Sequence, residues 1–127
     1  MRLNYLPVTC LKTVFIAFLM ISLVASCKDD DTPDTVDCTG LNPTYNNDIK
    51  AILDASCTSS GCHNSNDLAN GFDFSSYTPA AAISQGNRFL GAINHKSGFS
   101  AMPQNAPKLS TANIELLTCW VEDGSPQ

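Results

Sequence analysis

The chain has 127 residues, with 7 Lys and Arg against 12 Asp and Glu and a formal net charge of −5. A balance this acidic offers no broad positive surface, so nucleic acid is not expected as a partner, nor is an anionic lipid face held by charge alone. Six cysteines in so short a chain make the redox compartment the next question.

Residues 1–26 read as a secretory signal. Arg2 and Lys12 supply a positive start, and residues 14–25 are apolar and uncharged. That run is well short of the roughly 20 residues a bilayer-spanning helix needs. It closes in Val24-Ala25-Ser26-Cys27, which resembles the lipobox of bacterial lipoproteins. The resemblance implies that Cys27 carries lipid and opens the mature chain. Each buried methylene of such an anchor contributes about 0.8 kcal/mol of membrane attachment. The alternative is an uncleaved N-terminal anchor with Cys27 an ordinary thiol. With the signal removed, 5 basic side chains stand against 12 acidic ones, a balance of −7. The expected location is exported and lipid-anchored to a bacterial membrane, at the periplasmic face or the cell surface, where disulfides persist.

Residues 27–42 are rich in Asp, Thr, Pro and Lys and poor in apolar side chains, which predicts a disordered acidic tether. Residues 43–127 then form the folded domain. A domain of about 85 residues is small for a self-sufficient core. Its pattern is all-α, since no stretch shows strand alternation. Asn42-Pro43-Thr44 opens a first helix, with Ile49, Ile52 and Leu53 on one apolar face and an end near Ser56. Gly71 to Tyr77 carries three aromatics, Phe72, Phe74 and Tyr77. Thr78 and Pro79 suit the cap and first position of a short helix that Gly86 ends. Asn87 caps another, from Arg88 to about His95. The segment 96–108 is irregular, punctuated by Gly98, Pro103 and Pro107. In the last helix Ser110 is the N-cap, and Leu109 with Ile114 forms a hydrophobic staple. Ile114, Leu117, Trp120 and Val121 make its buried stripe, and Gly124 is its stop.

The chemistry concentrates in Cys57-Thr58-Ser59-Ser60-Gly61-Cys62-His63. Two cysteines followed at once by histidine form a haem-attachment pattern whose common spacing is Cys-x-x-Cys-His. Here four residues separate the cysteines, so two of them must bulge, and Gly61 suits a bulge because it tolerates backbone angles other residues avoid. Met102, in Ala101-Met102-Pro103, is the one methionine left once Met1 and Met20 leave with the signal. The order of attachment motif, short helices, Met-Pro loop and aromatic terminal helix resembles a small class I c-type cytochrome. More narrowly, Tyr45 to Ile49, Cys57 to His63, Met102-Pro103, Leu109-Ser110 and Trp120 to Gly124 look like lipid-anchored bacterial domains of that kind. The resemblance implies a cytochrome c-like helical fold and one covalent haem c held by Cys57 and Cys62. It implies axial iron ligation by His63 and Met102, and single-electron exchange with a redox partner protein rather than enzymatic turnover.

Under that reading the other cysteines find separate places. Cys10 leaves with the signal, Cys27 takes the lipid, and Cys38 and Cys119 remain as a pair able to form a disulfide. Arg88 is a candidate partner for a haem propionate, since guanidinium binds carboxylate in two-pronged fashion. Other readings stay open. Cys57 and Cys62 could close a small disulfide loop in a cofactor-free surface lipoprotein that binds a partner. They could join His63 and His95 around zinc, or Cys57 could be a nucleophile. The aromatics and Met102 could be simple packing. His95 reads as a surface or helix-end residue, and as a sixth ligand only if Met102 does not reach.

Overall fold

The computed structural model describes residues 35–127; the expected signal segment, Cys27 and the first part of the tether lie outside the described residues. Among the described residues the regular structure is helical and no strand forms. No helix there is long and apolar enough to cross a membrane. A π-helical turn, Tyr45–Ile49, runs directly into α1, Lys50–Ser56. A single 3-10 turn, Ala69–Gly71, interrupts the following loop. Then come α2, Tyr77–Ser84, α3, Asn87–Ile93, and α4, Thr111–Glu122.

Helix starts differ from the sequence pattern by a residue or two at three of the four helices. The first helix begins at Tyr45 with Thr44, one of the expected cap residues, as its extended N-cap (φ −119°, ψ 155°), so Pro43 lies outside the helix. The Thr44 hydroxyl accepts no capping bond; instead the Asp48 carboxylate reaches back to the Thr44 N–H at 2.9 Å. In α2 the extended residue is Ser76, so Tyr77 and Thr78 are already helical and Pro79 sits within the first turn. Proline is tolerated there because that N–H has no helical partner in any case. In α3 the N-cap is Gly86 and Asn87 is inside the helix. α4 follows its sequence signals. Ser110 accepts a 3.2 Å bond from the Asn113 N–H, and Gly124 lies just beyond the helix at φ +82°.

The core is one cluster built around Tyr45, Ile49, Leu53, Phe74, Phe89, Leu117 and Trp120. Ile49, Ile52 and Leu53 form the buried face of α1, and Ile114, Leu117 and Trp120 that of α4, with Val121 partly buried beside them. α4 packs across the π-helical turn. Segment 125–127 closes this junction, a feature with no periodic signature. The Pro126 carbonyl accepts from the Tyr45 N–H at 3.0 Å and from Trp120 Nε1 at 2.8 Å. The Gln127 carbonyl accepts from the Asn46 N–H at 3.0 Å. Two N–H groups of the first turn, orphaned in any helix, thus find acceptors. Ser125 is itself buried, and its carbonyl accepts the Tyr77 hydroxyl at 3.0 Å.

The sulfurs of Cys38 and Cys119 lie at bonding distance, 2.07 Å, across a sequence separation of 81. Closing a loop of that length restricts the unfolded chain by about 4–5 kcal/mol in the chain-entropy account. It also ties residues 35–42, which form no regular structure beyond a turn at 39–40, to the buried side of α4.

Candidate functional site

Cys57 is the C-terminal cap of α1, its N–H donating to the Leu53 carbonyl at 2.8 Å. The chain then loops out and returns. The His63 N–H donates to the Cys57 carbonyl at 3.0 Å, which pinches the loop at its neck. The four residues between the cysteines therefore project as a closed tip, and the neck residues keep their positions. Gly61 occupies the left-handed region at φ +80°. A side-chain bracket holds the tip. Asp67 Oδ2 accepts from the Gly61 N–H and from Asn64 Nδ2, each at 2.7 Å. Asn64 Nδ2 also donates to the Ser59 carbonyl at 3.0 Å. Asn64 Oδ1 accepts the N–H groups of Asn66 and Asp67 at 2.9 and 3.0 Å. These bonds hold the Asp67 carboxyl below its ordinary range, Asn64 contributing most and the Gly61 N–H next.

His63 is fixed from three directions. Besides its N–H, its carbonyl accepts from the Phe74 N–H at 2.8 Å. Its ring Nδ1 lies 2.9 Å from the Ala69 carbonyl. A carbonyl only accepts, so Nδ1 carries the proton in this bond and the Nε2 lone pair is left free. This is how metal-binding histidines have their tautomer and orientation set by an outer partner. Phe74 meets the imidazole edge-on, centroids 5.5 Å apart at 89°, and Phe72 lies tilted against it at 6.0 Å.

These residues face a cavity of about 590 Å³. Its walls bring together Cys57, His63, Arg88 and Met102 from three separate stretches of chain, with Phe72, Phe74, Phe89 and Phe99 as apolar lining. The volume and the apolar character suit a cofactor-sized ligand. Arg88 projects from the first turn of α3 at the exposed rim and makes no ion pair among the described residues. Phe99 packs into a notch at Gly91, where an added β-carbon would stand 2.6 Å from the ring. Of the three aromatics in the 71–77 segment, Phe72 and Phe74 line the cavity. Tyr77 does not; it packs edge-on against Tyr45 with centroids 5.4 Å apart.

The two motif cysteines are not bonded to each other. Cys57 lines the cavity, and burial, helped by the nearby Cys62, pushes its thiol up to about 11. It is therefore a neutral thiol at physiological pH, which argues against a nucleophilic thiolate. Cys62 is not among the cavity-lining residues. Its sulfur accepts a 3.4 Å bond from the Ser59 hydroxyl, so it faces its own loop.

Met102 is held at both ends of its peptide. Its N–H donates to the Ala92 carbonyl in the last turn of α3, at 3.0 Å. Its carbonyl accepts from His95 Nε2, also at 3.0 Å. His95 is thus engaged with the methionine loop and is not a cavity-lining residue. Among the described residues no group of three or more His, Cys, Asp and Glu side chains is placed to share a metal ion, so the zinc arrangement of Cys57, Cys62, His63 and His95 is not assembled.

Sequence reasoning missed the Ala69 carbonyl, the Asn64–Asp67 bracket, the Gly91 notch and the His95 bond. Only the bracket had a local signal, an Asx residue three positions before another in a polar loop.

The donor set fits a haem. One imidazole nitrogen is free and oriented, one methionine whose backbone is held at both N–H and carbonyl lines the cavity, one neutral thiol faces it, and a guanidinium without an ion pair among the described residues stands at the rim. No family model matches this chain, and neither a curated protein nor a solved structure matches it.

Proposed function

We propose that this domain is a mono-haem c-type cytochrome that carries single electrons, exported and held to a membrane by lipid at Cys27. One observation carries the reading. The attachment residue Cys57, the imidazole of His63 and the thioether of Met102, far apart in sequence, line one apolar cavity with an arginine at its rim. When bound, a haem supplies a one-electron iron couple tuned by its axial ligands. His63 offers Nε2 on one side, its orientation set by the Ala69 carbonyl. Met102 would offer its sulfur as a second iron ligand. With both residues ligating, no coordination site would be left for a substrate, which favours electron carriage over turnover. Phe72, Phe74 and Phe89 would give the group an apolar wall, and Arg88 would balance a propionate. Cys57, on the cavity wall, would take one covalent bond to the haem, and Cys62 would have to turn its side chain away from Ser59 to take the other.

Co-expression with haem-maturation machinery followed by absorption spectroscopy tests this. The expected result is a c-type spectrum that survives denaturation, as covalent attachment requires. A colourless protein with a Cys57–Cys62 disulfide would instead support a cofactor-free lipoprotein that binds a partner.

A further inference from the structure

His95 stands in an unusual place. Its backbone is left-handed, at φ +55°, just past the end of α3. A residue with a β-carbon rarely adopts that conformation without a local reason. The reversal turns the chain so that the imidazole faces forward onto the loop seven residues later, where Nε2 meets the Met102 carbonyl at 3.0 Å. The acceptor is a carbonyl, so Nε2 is the donor. The Met102 N–H is meanwhile bonded to Ala92, and the Ala92 carbonyl also takes the His95 N–H at 3.1 Å. Helix end, histidine and methionine therefore form one closed unit: Ala92 holds the Met102 amide and His95 holds its carbonyl. The Lys96 N–H adds a bond to the Gly91 carbonyl at 3.0 Å, and Phe99 fills the notch beside Gly91. The whole arm from His95 to Met102 is pinned to α3.

We infer that His95 is a positioning residue, whose Nε2–H holds the Met102 loop so that the thioether is presented to the cavity. The inference rests on the haem reading above and extends it to a residue outside the ligand set. An axial methionine competes with water and with added ligands for the iron. If the arm is preorganised, the sulfur-bound state is favoured by whatever the clamp contributes, and an external ligand must overcome it.

The test compares His95→Ala with His95→Gln in the haem-bearing full-length protein. Both place a β-carbon in the same left-handed conformation, so the backbone effect cancels between them. Glutamine keeps an N–H donor at similar reach, and alanine keeps none. In His95→Ala the sulfur-to-iron charge-transfer band of the ferric protein should weaken. Cyanide should bind about fivefold more tightly, the factor carried by one ordinary hydrogen bond. His95→Gln should restore both. A residue that only stabilised the fold would lower the melting temperature in His95→Ala while leaving band and cyanide affinity unchanged, and that result overturns the inference. Nitrogen-15 NMR of the wild-type imidazole gives a readout independent of ligand exchange. A proton on Nε2 is expected, and a ring protonated on Nδ1 alone overturns the clamp. Wild-type protein without covalent haem overturns the function reading and this inference together. Haem-bearing protein indifferent to His95→Ala overturns the inference alone.

Discussion

The bracket around the motif loop can be removed with one substitution, Asn64→Ala. Asn64 makes three bonds to backbone groups, at the Ser59 carbonyl and the N–H groups of Asn66 and Asp67, with separations of 2.9 to 3.0 Å. In a partly exposed loop each contributes near the low end of the usual range, about 0.5 kcal/mol, so together they order the tip by roughly 1.5 kcal/mol. That corresponds to about a tenfold change in the local opening equilibrium. Hydrogen exchange of the Gly61 and Cys62 amides, followed by NMR, should therefore accelerate about tenfold in Asn64→Ala. Ser65→Ala in the same loop removes none of these bonds and should leave both rates unchanged. The neck bond from the His63 N–H to the Cys57 carbonyl is independent of Asn64, so exchange at His63 should stay slow. Unchanged exchange at Gly61 and Cys62 would refute the idea that Asn64 organises the bulge.

Three further outcomes follow from the packing and the charges. Trp120→Phe removes the 2.8 Å bond to the Pro126 carbonyl and leaves a void in a fully buried site, which should destabilise by about 2 kcal/mol and lower Tm by about 10 °C in a calorimetric scan; a shift under about 2 °C would contradict it. Gly91→Ala should destabilise in the wild-type background because its β-carbon would meet the Phe99 ring at 2.6 Å, yet stabilise by up to about 1 kcal/mol in a Phe99→Ala background, where only the helix preference of alanine remains; a double-mutant cycle showing additivity would remove the notch from the account. Asp67 and Asp73 are both held below the ordinary value of 3.8, Asp67 chiefly by Asn64 and Asp73 chiefly by Ser75. Depressed carboxyls stabilise fully above their unfolded value and lose that contribution as pH falls through the folded one. Melting temperature should thus fall below about pH 3.8, and Asp67→Asn should flatten that fall; an identical pH profile in the variant would refute the assignment.

The helical class and the buried faces of α1 and α4 were legible in the sequence because spacing alone encodes them. Ser110 and Gly124 marked α4 because capping is a matter of a few adjacent residues. The helix starts at Tyr45, Tyr77 and Asn87 were less legible. There the decisive residue is an extended Thr44, Ser76 or Gly86 whose side chain makes no capping bond. At the site, the residue types stood out, and their convergence on one cavity could be expected only through the resemblance. What ties them in place spans six to ten residues outside any helical repeat and uses backbone groups: the His63 N–H to Cys57, the Ala69 carbonyl to the imidazole, and the Ala92 carbonyl to Met102. Backbone groups are common to every residue and leave no mark in a sequence. The closure of the first turn by residues 125–127 was hidden for the same reason.

The central claim is tested most directly by intact mass spectrometry under denaturing conditions, on protein produced with haem-maturation machinery. The account predicts a chain heavier by one haem, and digestion should locate that mass on the peptide containing Cys57 and Cys62. Cys57→Ala should abolish most of it, since Cys57 is the cysteine that lines the cavity. A chain of unmodified mass in this segment, or one lighter by the two hydrogens of a Cys57–Cys62 disulfide, would contradict the account.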